Sequence, residues 1–316
     1  MLTRGKLRGL VNIQNKQGSY TMLAIDQRGS FVKALKETLK RPVEKQDVIK
    51  VKKEIISAIS PYASAVLLDP VYCIGLRRYV PRKTGVLFCE EKSGYVPQPK
   101  GRKTVLQPHF SVKTSKELGA DAAKLNLYYN PDAPKKLNAH QQKLAKFVGD
   151  ECKKYDLPFL LEFVVYPLKG DADSPGFAKK RPGLILKAAK EFAKEKYGVD
   201  VLKVQFPCDL RYVKEFKKKF GEKRNPVYTK AQALQFCKKL TRSVKQHWVL
   251  LTAGVPMERF VEQLKIAKKG GCAGFLAGRA VWQDALKIIN PAKRRKWIQS
   301  QAVKNFKTLC KIMKGG

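Results

Sequence analysis

Acidic residues are scarce in this sequence. Its 316 residues include 65 Lys and Arg but only 26 Asp and Glu, for a formal charge of +39. Lysine enrichment alone does not explain that figure, because acid is depleted as well. A field of this size draws phosphorylated small molecules, nucleic acid and anionic membranes alike, so charge by itself selects none of them. Histidine is also rare, at 109, 140 and 247, which leaves a His-based zinc site little to work with. The seven cysteines are scattered and form no CxxC, which argues against metal and disulfide frameworks and for a reducing compartment. Those within apolar strands read as buried, inert thiols. No apolar run approaches the roughly 18 residues of a membrane span. No secretory h-region follows the basic N-terminus. No GxGxxG follows the first strand, which weakens a dinucleotide-binding reading. No low-complexity linker or short repeat divides the chain, so residues 1–316 read as one domain.

What is present is a series of short apolar strands. They are Thr21–Asp26, Ser64–Asp69, Gly85–Glu90, Asp121–Leu127, Pro158–Val164, Asp200–Phe206, His247–Thr252 and Ala273–Ala277. They are apolar throughout rather than alternating, as parallel strands covered on both faces are. Helical spacing fills Asp47–Ile59, Pro134–Lys154, Leu184–Lys196, Lys230–Ser243, Pro256–Lys268 and a basic final stretch, Pro291–Met313. Eight strands alternating with helices predict a (β/α)8 barrel with extra terminal helices. An open doubly wound sheet is the second choice. The Pro-, Gly- and Arg-rich segment Tyr72–Pro108 reads as long loops at the catalytic mouth.

Three of these strands carry a charge near their middle. Lys124 lies in DAAKLNL, Glu162 in PFLLEFV and Lys203 in DVLKVQF. A lone buried charge is costly, so these groups are expected to pair or to shift in pKa. Adjacent strands lie about 5 Å apart, so two lysines and a glutamate at one height would influence each other strongly. Such a setting suits a nucleophilic amine of the Schiff-base kind. The first strand closes on Asp26, Gln27 and Arg28, the seventh on Thr252, Ala253 and Gly254, and the eighth on Gly278 and Arg279. Barrels commonly bind phosphate after the seventh and eighth strands, beside a helix start. The bland alternative is a structural ion-pair network. Arg28 and Lys92 are ambiguous, and the basic runs at 217–219 and 293–296 read as solvated faces.

At these residues the sequence resembles the class I tagatose 1,6-bisphosphate aldolase family, which includes sulfofructose-phosphate aldolases. The likeness runs from about Leu2 to about Asp284. It is carried by MLAIDQRG, SPYASAVLLDP, LGADAAKLNLYY, FLLEFVVYP, VDVLKVQFP, LLTAGV and AGFLAGRAVW. It implies the same barrel, with Lys203 as the Schiff-base lysine, Glu162 as the acid/base, and Lys124 and Asp26 as further active-site groups. Gln27, Thr252, Gly254, Gly278 and Arg279 would hold the phosphate of dihydroxyacetone phosphate. The chain departs from the family in having Thr252 where Ser is frequent and Gln205 where Glu is common. Its charge is also foreign to the family's acidic-to-neutral composition.

The expected activity is cleavage of a ketose 1,6-bisphosphate of the tagatose or fructose type. The products would be dihydroxyacetone phosphate and glyceraldehyde 3-phosphate, formed without metal or other cofactor. A sulfofructose-phosphate aldolase is one alternative. Another is a basic, nucleic-acid-associated structural protein on the same fold, for which no RNA-recognition motif stands out. The resemblance implies a homodimer or tetramer. The expected location is the cytoplasm, with an organelle matrix as the alternative. The acid-free first 25 residues resemble an import peptide, yet the likeness begins at Leu2, so a retained N-terminal element is expected.

Overall fold

The computed structural model describes residues 2–315. Eight parallel strands close into a barrel. They are β1 (Tyr20–Ala24), β2 (Ala65–Leu68), β3 (Gly85–Cys89), β4 (Ala122–Tyr128), β5 (Phe159–Val164), β6 (Val201–Val204), β7 (His247–Leu251) and β8 (Gly274–Ala277). Each falls within a predicted strand to within a residue or two at its ends. The predicted helices Asp47–Ile59, Pro134–Lys154, Lys230–Ser243 and Pro256–Lys268 are also found, shifted by at most two residues. The helix expected at Leu184–Lys196 instead runs from Pro175 to Phe192. Ser174 caps its start, with Pro175 next to the cap, and that first turn was hidden among loop-like residues. The long C-terminal helix is interrupted by a π turn at Ile298–Ala302. The loop-rich segment after β2 contains a short hairpin, Val96–Gln98 against Gly101–Lys103.

The helix Arg4–Asn12 was not read from the sequence as a helix. It closes the end of the barrel away from the strand C-termini. Lys6 Nζ donates to Asp200 Oδ2 at 2.7 Å, and the same oxygen accepts the Phe159 N–H at 2.7 Å. Just past it, Ile13 is buried against the inward residues of the barrel.

Strand register sorts those inward residues into layers. Lys124 pairs across to Leu160, and Leu160 to Val201, two residues before Lys203. Lys203 leads through Val249 to Gly274, two before Leu276. Leu276 leads through Met22 to Ala65, two before Leu67. Leu67 leads through Leu87 to Ala122, two before Lys124, and the circuit closes. Leu67, Lys124, Lys203 and Leu276 therefore form one layer, contributed by alternate strands as barrels of this kind require. By the same walk Ala24, Cys89, Glu162 and Leu251 form the next layer toward the strand C-termini. The layer below, Met22, Leu87, Leu160 and Val249, is wholly apolar and buried. The two lysines share a height as expected, whereas Glu162 sits one layer higher.

Candidate active site

Polarity begins where that apolar filling ends. Asp26 and Glu91 lie two residues beyond Ala24 and Cys89, so they continue the inward-facing positions of β1 and β3 past the strand ends. The ammonium of Lys124, 2% exposed, lies among three carboxylates. It is 3.0 Å from Asp26 Oδ2, 2.5 Å from Glu91 Oε1 and 3.0 Å from Glu162 Oε2. Lys203, 4% exposed, contacts only the last of these, donating to Glu162 Oε2 at 2.8 Å. One carboxylate oxygen thus bridges the two amines. The partner of Asp26 is Lys124 rather than Lys203, because both project to the barrel axis from β1 and β4.

Charge pairing overrides burial here. Desolvation alone would push the Glu162 carboxyl up, yet the charges of Lys124 and Lys203 hold it below the ordinary range. Asp26 behaves likewise: burial opposes ionisation, and Lys124 and Lys203 outweigh it. Burial would favour a neutral Lys124, but Asp26, Glu162 and Glu91 together keep it firmly protonated. Lys124 is therefore a fixed cation. Lys203 has a single carboxylate contact, to Glu162.

The predicted phosphate-holding residues come from the ends of the adjacent strands β1, β8 and β7. Gln27, Thr252, Gly278 and Arg279 line the same cavity of about 520 Å³ as Asp26, Lys124, Glu162 and Lys203. Gly254 does not line it, but lies directly behind Arg279. A Cβ at Gly254 would come within 3.0 Å of the Arg279 guanidinium carbon, and its φ of +75° strains any other residue. A Cβ at Gly278 would meet Gln27 Nε2 at 2.9 Å and Ala24 O at 3.0 Å. Both glycines keep this corner open at the backbone.

Sequence reasoning passed over Glu91. The signal was an acidic pair, Glu90-Glu91, at the end of an apolar strand in a chain short of acid. Besides holding Lys124, Glu91 accepts the Asn126 N–H at 2.9 Å, and its carbonyl accepts Arg28 Nη2 at 2.7 Å. Arg28 also donates to Gln107 at 3.0 Å, which gives that ambiguous residue a place in the wall. Gln205, where the family commonly has Glu, accepts the Val165 N–H at 2.8 Å and so ties the end of β5 to the end of β6. Among the described residues one cluster has the ligand types of a metal site, Asp26, Cys89 and Glu91. Both of its carboxylates already receive hydrogen bonds from Lys124.

Ten buried side-chain polar atoms lack a hydrogen-bond partner among the described residues. Five of them belong to Asp26, Gln27, Arg28, Asn126 and Arg279, all in the wall of this cavity. Native interiors seldom leave such groups unpaired, so this concentration marks a ligand site.

Comparison with known proteins agrees with this geometry. The sequence model of the DeoC/LacD family of aldolases matches residues 20–284. The chain belongs to this family. The aldolase is 34% identical to tagatose 1,6-diphosphate aldolase 2 of Enterococcus faecalis, over 99% of this chain and 94% of that protein. It is 33% identical to the tagatose 1,6-diphosphate aldolase of Listeria monocytogenes, over 100% of this chain and 93% of that one. Its fold is similar to that of the fructose-bisphosphate aldolase from Slackia heliotrinireducens, with a TM-score of 0.63 and 14% identity. That match covers 99% of this aldolase and 92% of the other chain.

Proposed function

We propose that this aldolase cleaves a ketose 1,6-bisphosphate of the tagatose type through a Schiff base on Lys203. The observation that carries the reading is the single Glu162 oxygen shared between a permanently charged lysine and one with no other carboxylate contact. The names of the curated relatives support the choice of substrate. Neutral Lys203 Nζ adds to the C2 carbonyl, and the carbinolamine loses its hydroxyl as water to give an iminium. Glu162 takes a proton from Lys203 Nζ, which donates to it, as the amine becomes neutral, and returns that proton to the departing hydroxyl. It then takes the proton from the C4 hydroxyl as the C3–C4 electron pair flows onto the iminium nitrogen. Glyceraldehyde 3-phosphate leaves. The enamine is protonated at C3 and hydrolysed to dihydroxyacetone phosphate, which frees Lys203. Lys124 stabilises oxyanions as they develop, and its three carboxylates keep it charged through the cycle. Arg279, backed by Gly254 and joined by Gln27, Thr252 and Gly278, holds the C1 phosphate.

Borohydride reduction in the presence of dihydroxyacetone phosphate tests the reading. The adduct is expected on the peptide spanning residues 201–206, with no label in Lys203→Arg. An adduct on Lys124 instead would overturn the assignment.

A further inference from the structure

A second cavity, of about 410 Å³, opens beside the first, and the two share Val164, Gln205 and Ala253 in their walls. It is rich in arginine: Arg102, Arg181, Arg211 and Arg259 all line it. Two of these are spent. Arg211 holds Asp173 at 2.6 Å and Asp209 at 2.5 Å, the two acids of the cavity. Arg259 is paired with Glu222. Arg181, partly buried, forms no hydrogen bond or ion pair among the described residues, and its buried Nε has no partner; the acid that attracts it most, Asp209, is already held by Arg211. Arg102 makes no ion pair among the described residues either. Its guanidinium rests 4.6 Å from the ring centres of both Tyr95 and Tyr166, contacts that hold a cation without neutralising it. Gln263, only 5% exposed, also lines the cavity, and its amide forms no hydrogen bond among the described residues.

A partly buried guanidinium that contacts no acid has its donors free for the oxygens of an anion. The planar fork of arginine matches the oxygens of a phosphate group, and a neutral amide adds a donor without competing charge. We propose that Arg181, Arg102 and Gln263 form a second phosphate-binding site at the mouth of the barrel, separate from the Arg279 corner. The phosphate is either the distal ester of the sugar bisphosphate or free inorganic phosphate. Only the first source rests on the aldolase reading above. Either occupant would lie against Ala253 and Gly254, both with positive φ, in the loop that also backs Arg279.

Inorganic phosphate titrated calorimetrically into Arg279→Ala protein reports this site with the first corner disabled. Binding is expected. Adding Arg181→Met should weaken it at least tenfold, Gln263→Leu at least threefold, and Arg181→Lys less than Arg181→Met. No binding to Arg279→Ala, or equal binding after Arg181→Met, would overturn the site. If Arg181→Met fails to fold, Gln263→Leu and Arg102→Ala put the same question. Turnover separates the sources. If the distal ester sits here, Arg181→Met lowers kcat/KM for the bisphosphate relative to the ketose 1-phosphate at least tenfold. If free phosphate sits here, that ratio holds and the response of turnover to added phosphate is lost. A variant with neither change refutes the proposal. Should Lys203 fail to trap substrate while phosphate binding still depends on Arg181, the aldolase reading falls and this site stands.

Discussion

Two groups of buried charges lie within a short distance of each other in this protein, and they are built to different ends. One sits between the barrel wall and the helix Lys45–Ile59. There Lys52, fully buried, pairs with the equally buried Asp69 and donates to the Ile25 carbonyl at 2.8 Å. Asp69 also accepts from the N–H groups of Val71 and Tyr72 at 2.9 and 2.7 Å and from Cys73 Sγ at 3.1 Å. This pair is saturated by the protein, and neither residue lines the active-site cavity. The other group, Asp26, Glu91, Lys124, Glu162 and Lys203, borders that cavity, and one Asp26 oxygen there is left without a partner. Burial and pairing alone do not distinguish a structural ion pair from a reactive one. Completeness of pairing does, because an unsatisfied buried group is tolerated where a ligand completes it.

The comparison can be broken by substitution. The largest effect is expected at Glu162→Gln, which keeps shape and most hydrogen bonds. On the proposed mechanism kcat falls about 10²- to 10⁴-fold while the melting profile stays near that of the parent. Normal turnover would move the proton-handling role elsewhere, and an unfolded variant would place Glu162 with the structural pairs. Lys52→Met should do the opposite. Leaving Asp69 buried and unpaired costs about 3–5 kcal/mol of stability, with kcat of the surviving folded fraction little altered. Chemical denaturation beside active-site titration reads both quantities. A catalytic loss without a stability loss would erase the distinction drawn here.

Arg279→Ala sharpens the comparison within the cavity itself. KM for the phosphorylated ketose should rise tenfold or more, and far less for unphosphorylated dihydroxyacetone as the donor in condensation. Equal losses on both substrates would argue against a phosphate role.

The smallest effect concerns a further buried acid, Glu90, beside Glu91 but accepting from Ser115 at 2.6 Å instead of facing the cavity. Burial, reinforced by the neighbouring charge of Glu91, pushes its carboxyl up to about 8. The folded protein thus holds a proton that the unfolded chain, with an ordinary carboxyl near 4.3, has released. Its contribution to stability is complete below that unfolded value and is lost as pH rises toward 8. Glu90→Gln should flatten the fall of Tm between pH 5 and 9. An unchanged slope would show that Glu90 does not carry it.

Much of this protein was legible in the order of its residues. Uniformly apolar runs of four to seven residues cannot be amphipathic helices or one-sided strands, so eight of them separated by helical spacing implied a closed parallel barrel. Lys124, Glu162 and Lys203 stood out because a charge inside such a run needs a reason. Asp26 stood out as the polar residue closing the first strand, where a barrel builds its site. Residues joined by register were not legible. Glu91 gained its role only when β3 and β4 paired, and Asp26 took Lys124 rather than Lys203 as its partner. Arg102 and Arg181 come from a hairpin and a helix 79 positions apart in sequence. The sequence alone determined which residues were charged inside apolar strands, since local pattern fixes that. Only the tertiary structure decided which carboxylate meets which amine and which arginines go without one, because those depend on strand stagger and loop packing between segments remote along the chain.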